Sequence, residues 1–316
     1  MSSAQIPATL LDAIRYFSDL DRCTEILAAS RWPDGVKCPT CGSDKNRYLA
    51  KRRIWECKAK HPKRQFSVKV GTVFEDSPIG LDKWFTAAWL VANCKNGVSS
   101  HEIARHLGVT QKTAWFMDHR IRLAMQTGTF EKVAGTFEAD ESLIGGLARF
   151  MHKDKRAEKI TGTGGAGKAI VMGLLDRERG QVRLKHVADR KRHTLQKEIR
   201  DNVLEGSEIF TDALLSYEGL DREFVHGFVD HAERYVNGKI HTNGLENFWS
   251  LLKRGLKGTY ISVEPFHLFR YLDEQAYRYN TRKGTDAARF VGILDGVTGK
   301  RVTYQKLIGK EEAEVA

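Results

Sequence analysis

Three acids and two cysteine-led pairs carry the most specific chemistry in this chain. Asp140, Asp212 and Glu246 are spread along its second half. Hard oxygen ligands of this kind suit magnesium or manganese rather than zinc. Cys38-Pro-Thr-Cys41 and Cys57-Lys-Ala-Lys-His61 are of the opposite character. Sixteen residues separate Cys41 from Cys57, and together the pairs offer the four soft sulfur and nitrogen ligands that tetrahedral zinc takes. A thioredoxin-like redox pair is the competing use of C-x-x-C, and the second pair with its Lys/Arg surroundings argues against it. His61 is followed by Pro62, so a surface histidine is its alternative. Cys23 and Cys94 lie in amphipathic apolar stretches, where a free cysteine behaves as a small core hydrophobe.

The elements that must position these residues can be read in turn. Between the cysteine pairs lies a hairpin-length segment, Asn46 to Ile54. From Lys45 to Lys69 there are ten Lys/Arg, Arg52 and Arg53 among them, and one acid, Glu56. Tyr48, Trp55 and Phe66 are interleaved, a mixture suited to phosphate contacts plus stacking or packing; a solvated basic face is the bland alternative. Leu81 to Cys94 has helical apolar spacing. Ser99 to Trp115 has the form of a helix-turn-helix, with Ser99 and Glu102 as a capping box, Gly108 in the turn and a new helix starting near Thr110. Gln111, Lys112 and Thr113 then point outward where recognition helices meet DNA. An ordinary helical hairpin is the competing reading.

From Ala134 strands alternate with helices, which marks a boundary near residues 125–135. Gly135–Asp140, Ile170–Leu175, Val182–Val187 and Ser207–Asp212 read as strands and His193–Val203 as a helix, a mixed α/β domain in which Asp140 and Asp212 end two strands. Glu246 lies in a helix, Asn243 to Lys253, whose apolar face is Leu245, Phe248, Trp249 and Leu252. Each acid has a plainer reading. Asn243 as N-cap with Glu246 three residues on would be a capping pair, Asp140 a surface acid and Asp212 the start of a turn. The stretch Arg149 to Lys168 is basic and Gly-rich. Its Gly162–Ala169 segment superficially matches a P-loop, but Ala169 stands where a Ser/Thr must hold magnesium and the loop leads into a strand.

Composition bounds the partners. The chain has 316 residues and a formal charge of +11, which fits a polyanion such as nucleic acid. No apolar run approaches the roughly 18–20 residues that span a bilayer, and the first residues lack signal-peptide features, so the expectation is a cytoplasmic protein without membrane contact. Five cysteines, an odd number, disfavour a disulfide framework.

The order zinc ribbon, helix-turn-helix, Phe137-Glu-Ala-Asp140-Glu-Ser, Phe210-Thr-Asp212-Ala-Leu-Leu-Ser-Tyr217 and His241-Thr-Asn243-Gly-Leu-Glu246-Asn-Phe-Trp249-Ser-Leu-Leu-Lys253-Arg254 resembles the zinc-ribbon DDE transposases of bacterial insertion sequences. The resemblance covers nearly the whole chain. It implies an RNase H-like α/β catalytic domain, a mixed sheet flanked by helices, behind an N-terminal zinc ribbon and a helical helix-turn-helix domain. The expected division is a helical segment 1–30, ribbon 31–76, helix-turn-helix domain 77–130, catalytic domain 131–295 with a basic insertion 147–168, and a tail 296–316.

Asp140, Asp212 and Glu246 are then the catalytic acids, and the spacing of 34 residues between the last two is typical of the class. Lys253, seven residues beyond Glu246, matches the family's Lys or Arg at that place and, with Arg254, would contact DNA phosphate. Some relatives have Asn as third member, so Asn243 could share or replace the role of Glu246. His231 and His241 are candidates for the edge of the site, or surface and capping histidines. The resemblance further implies one structural zinc per chain, two magnesium or manganese ions at the acids, binding to terminal inverted repeats and target DNA, and a homodimer or higher oligomer on DNA, nucleoid-associated. The aromatic-rich segment Arg270 to Asn280 looks like the family's closing helix and reads as core. Two other classes fit parts of the pattern: a DNA-binding regulator with a silent α/β domain, and a metal-dependent nuclease.

Overall fold

The computed structural model describes residues 6–126, 131–145, 153–154, 167–229 and 240–310. The chain divides into two compact units, residues 1–126 with 281–316, and residues 127–280. No described helix is long and apolar enough to cross a membrane.

The first unit begins with two helices, α1 (Leu10–Phe17) and α2 (Leu20–Arg31), capped by the side chains of Thr9 and Asp19. An antiparallel ribbon follows: β1 (Asn46–Leu49), β2 (Ile54–Cys57) and β3 (Gln65–Ser67) in the order β1-β2-β3. Two of its three aromatics pack inward, while Tyr48 stays exposed. Trp55 and Phe66 are buried and stacked with centroids 6.1 Å apart, and Trp32 meets both edge-on. Next come α3 (Leu81–Asn93), α4 (Ser100–Leu107) and α5 (Gln111–Met125). The expected capping box of Ser99 and Glu102 is present, Gly108 closes α4 at φ 60°, and Thr110 caps α5.

The second unit is built on one five-stranded sheet: β4 (Thr136–Ile144), β5 (Ala169–Asp176), β6 (Gln181–Val187), β7 (Glu208–Asp212) and β8 (Val225–Val229), with α6 (Arg192–Asn202) between β6 and β7. The order is β6-β5-β4-β7-β8, with β4 to β6 an antiparallel meander and β7 and β8 joined parallel to β4. Two helices follow, α7 (Asn243–Gly255) and α8 (Leu268–Asn280). This is the RNase H-like α/β arrangement. Both faces of the sheet are covered, which is why β5 reads as a nearly unbroken apolar run. Phe137, Ala139 and Leu174 pack with Leu195 and Ile199 of α6 on one side, and Val171 and Leu175 pack with Leu245, Phe248 and Trp249 of α7 on the other. Tyr271 and Tyr277 of α8 are buried, as core residues should be.

Two expectations need correction. Strand β4 does not end at Asp140; it runs on to Ile144 because Glu141 to Ile144 keep pairing with Met172 back to Ala169. The unit that holds the acids does not extend to residue 295, and residues 296–310 are not a tail, since Val297, Val302 and Leu307 are buried. The chain leaves the second unit at Asn280 and returns to the first through α9 (Asp286–Asp295) and α10 (Tyr304–Leu307). Phe290, fully buried, lies 4.9 Å from Phe17, 5.4 Å from Phe85 and 5.8 Å from Trp89, so α9 completes the N-terminal core. Of the expected insertion 147–168, only 153–154 and 167–168 fall among the described residues; β5 does start directly after it, as the P-loop argument required.

Candidate active site and metal centre

Successive residues of a strand face opposite sides, so β4 turns Phe137, Ala139 and Glu141 one way and Glu138, Asp140 and Ser142 the other. Glu138 and Phe210 are the last paired residues of β4 and β7. Asp140 and Asp212 each stand one period further on, which returns both carboxylates to the face on which α7 lies. Trp249 of α7 donates its Nε1 hydrogen to Asp140 Oδ2 at 2.8 Å, and the Glu141 amide donates to Oδ1 at 2.8 Å. The indole lies this close because Asp140 pairs across the ladder with Gly173, where a Cβ would stand 2.8 Å from the ring.

Burial pushes the Asp140 carboxyl up to about 6; the Trp249 hydrogen bond opposes the rise, and the charges of Asp212 and Glu246 add to it. Carboxylates from β7 and α7 therefore both bear on Asp140 of β4. Asp212 Oδ1 also accepts from the Leu214 amide at 3.2 Å, so its turn-forming role is real as well. Glu246 is exposed on α7, and Lys253 follows two turns later on the same side, half-exposed.

Glu141, absent from the expected site, faces the other side of β4. Tyr217, fully buried, donates to its Oε2 at 2.6 Å. Burial pushes Glu141 up to about 7, the Tyr217 bond counteracts, and Asp212 and Asp140 raise it further. An acid next to Asp140 in a core strand was the available signal.

The capping pair expected of Asn243 and Glu246 is not formed. Thr242 is the cap residue, without a side-chain bond, and Asn243 is the first helical residue, exposed. The first turn is satisfied from outside the helix: Glu138 Oε2 accepts from the Leu245 amide at 2.9 Å. His241 is tied into the same anchor, accepting Arg177 Nη2 at its carbonyl at 2.5 Å, with its Nδ1 2.8 Å from the same nitrogen. His231 lies outside the described residues.

The soft-ligand quartet is closed. One ligand atom each from Cys38, Cys41, Cys57 and His61 lies within 4.8 Å of all the others. Cys38 Sγ to His61 Nε2 is 3.5 Å and Cys41 Sγ to Cys57 Sγ 3.7 Å, the edges expected of a tetrahedron with ligands about 2.0–2.3 Å from its centre. His61 Nδ1 sits 2.6 Å from the Pro62 carbonyl, a bond that leaves Nε2 for a metal. Among the described residues this quartet is the group whose ligand atoms already gather as an ion requires; the carboxylates converge in charge without that closeness. Cys23 is buried, its thiol pushed up to about 12 by burial, and is core as expected.

Comparison with known families covers both regions. Residues 132–280, the β4–α8 body, match the ISXO2-like transposase domain, and residues 19–59 match a transposase zinc-ribbon domain. The chain belongs to the transposases, and its second unit carries the ISXO2-like domain. The ribbon match stops before His61, which the fold brings in. An uncharacterized protein in the transposable element ISH50 of Halobacterium salinarum is 28% identical over 256 residues, 77% of this chain and 85% of its own. An uncharacterized transposase-like protein of Haemophilus influenzae is 34% identical over 88 residues, 28% of this chain and 71% of its own.

In this transposase the residues expected to meet DNA are placed unevenly. Gln111 and Lys112 are exposed at the start of α5, Gln111 bonded to Ser100 Oγ at 2.9 Å and Lys112 lying 4.4 Å over the Tyr304 ring. Thr113 is partly taken up by the cap, its hydroxyl 2.9 Å from that of Thr110. Arg52 bonds Gln65 at 3.0 Å, and Arg53 is paired with Asp21 at 2.6 Å. Arg254 is exposed.

Proposed function

We propose that this protein is a DNA transposase that binds the ends of its element and catalyses metal-dependent 3′-end cleavage and strand transfer into target DNA. The observation that carries the reading is the placement of the three acids: Asp140 and Asp212 stand one period beyond the last paired residues of β4 and β7, on the face covered by α7, which bears Glu246 and bonds Asp140 through Trp249. The donor set fits a hard divalent cation: all three are carboxylates, and a cation would relieve the repulsion that helps raise the Asp140 carboxyl. Magnesium or manganese held there would activate the attacking hydroxyl and neutralise charge at the phosphate.

The chain's own residues prepare that chemistry. Trp249 orients the Asp140 carboxylate. Lys253, on the side of α7 that bears Glu246, and Arg254 beyond it are assigned to phosphate near the scissile bond. Asn243, exposed one turn before Glu246, is the alternative third ligand. Cys38, Cys41, Cys57 and His61 hold one zinc that stiffens the ribbon, and Gln111, Lys112, Thr113, Arg52 and Arg53 are assigned to the element's ends; for Arg53 this requires release from Asp21.

The test uses the full chain, duplexes ending in the sequences that flank its own coding region, and a plasmid target in magnesium. Salt-sensitive binding to these ends, nicking at them, and joining of a pre-cut 3′-hydroxyl end to the plasmid are expected. Binding without cleavage would make it a regulator, and cleavage without joining a nuclease.

A further inference from the structure

We propose that Glu138, clamped by Arg177, is a positioning residue for Glu246. The inference rests on the reading of Glu246 as a metal ligand. Glu138 is almost wholly buried, its side chain 2% exposed, two residues before Asp140 and on the same face of β4. Its two oxygens do different things. Oε1 accepts Arg177 Nε at 2.8 Å, and Oε2 accepts the amide of Leu245, the residue before Glu246, at 2.9 Å. Arg177 in turn holds the His241 carbonyl, so the approach to α7 is fixed as well as its first turn.

A buried carboxylate is an expensive way to secure a helix end, since it must be desolvated and paired. What a local cap could not do is tie α7 to the strand that carries Asp140. Glu138 does this: one side chain joins the backbone beside Glu246 to the strand two residues from Asp140. Gly244 confirms how tight the joint is. A Cβ there would stand 2.3 Å from Leu175 Cδ2 and 2.8 Å from Glu138 Oε2.

The experiment compares full-length, zinc-loaded wild type with Glu138→Ala, Glu138→Gln, Gly244→Ala, Glu246→Gln and the double variant Glu138→Ala/Glu246→Gln. Three quantities are measured: Mn²⁺ binding by electron paramagnetic resonance, thermal melting, and the kcat and KM of end nicking. If Glu138 positions Glu246, the folded Glu138→Ala protein binds Mn²⁺ at least tenfold more weakly and loses kcat at least tenfold with KM for DNA unchanged. Glu138→Gln, which keeps an acceptor for the Leu245 amide, falls between it and wild type.

In the Glu246→Gln background, Glu138→Ala has no further effect on Mn²⁺ binding, because it acts through the residue already removed. Gly244→Ala covers the case in which Glu138→Ala does not fold. Alanine ordinarily strengthens a helix relative to glycine, yet here it must weaken Mn²⁺ binding and nicking. A purely structural role would lower the melting temperature and leave Mn²⁺ affinity and kcat of the folded protein unchanged; that result, or a Gly244→Ala protein equal to wild type, overturns the inference. Failure of the underlying reading looks different: Glu246→Gln itself would bind Mn²⁺ like wild type, and the inference would fall with it.

Discussion

Trp249 Nε1 stands 2.8 Å from Asp140 Oδ2, and Trp249 is the residue one helical turn beyond Glu246. The helix that supplies one acid of the site therefore also orients another. A tryptophan on an apolar helix face reads as core in any sequence; here it is core and donor together, and Gly173 opposite makes the room.

Replacing the indole by a phenyl ring, which has no donor, tests this link. Trp249→Phe should lower stability by more than the roughly 1.5–3 kcal/mol of a hydrogen bond to a charged group, because the smaller ring also leaves a cavity in the core. Because that bond holds the Asp140 carboxyl down, its loss should push the pKa higher and move the acid limb of the nicking profile to higher pH. Gly173→Ala should do at least as much by displacing the indole. An unshifted limb in both variants would show that the bond has no part in the site.

The two raised carboxyls make a stability prediction whose sign is definite. In the metal-free site, Asp140 and Glu141 hold protons more readily folded than unfolded. Their stabilising contribution is fully present below about pH 4 and is lost as pH rises through about 6 for Asp140 and about 7 for Glu141. Glu141→Gln, which cannot ionise, should therefore melt close to wild type at pH 4 and a few degrees higher at pH 8. The measurement is scanning fluorimetry without magnesium and without a chelator, which would also strip zinc. A variant that melts lower than wild type at pH 8 would contradict the assignment.

Legibility followed the range of the signals. The ribbon quartet, the capping box at Ser99 and the strand pattern are each carried by short stretches whose spacing announced them, whereas Asp140, Asp212 and Glu246 were assigned to catalysis through the family resemblance. What stayed hidden depends on partners far along the chain. Glu138 caps a helix 107 residues away, and Arg177 reaches His241 across 64. The supposed Asn243 cap failed for the same reason, since a buried carboxylate from β4 had taken over that function. The return of α9 to the N-terminal unit could not be read from its own sequence, because the aromatic pocket that receives Phe290 is built from α1 and α3.

That return has a consequence for dissection. A fragment of residues 1–126 should be unstable alone, with Phe17, Phe85 and Trp89 uncovered, and should need residues 281–310 to fold. In the full chain Phe290→Ala should cost about 3–5 kcal/mol and weaken binding to DNA ends through the first unit. Circular dichroism melting of the fragment and the variant decides it; a cooperative, wild-type-like melt of 1–126 would refute the packing argument.

Zinc should be present at one ion per chain. Cys41→Ser should release it and weaken DNA binding, whereas Cys23→Ser should retain it, since Cys23 lies buried against the Phe17 carbonyl. Elemental analysis of the purified proteins checks both, and zinc retained by Cys41→Ser would remove Cys41 from the quartet.

The central claim is that Asp140, Asp212 and Glu246 form one catalytic unit, and joining of a pre-cut donor end to plasmid in magnesium tests it most directly. Asp140→Asn, Asp212→Asn and Glu246→Gln should each fold and each lose joining to a comparable degree, because the acids act together. Asn243→Ala, at an exposed position with no capping bond to lose, should fold and keep joining. A Glu246→Gln protein that still joins ends, beside an Asn243→Ala protein that is folded and inactive, would contradict the account and transfer the third ligand to Asn243.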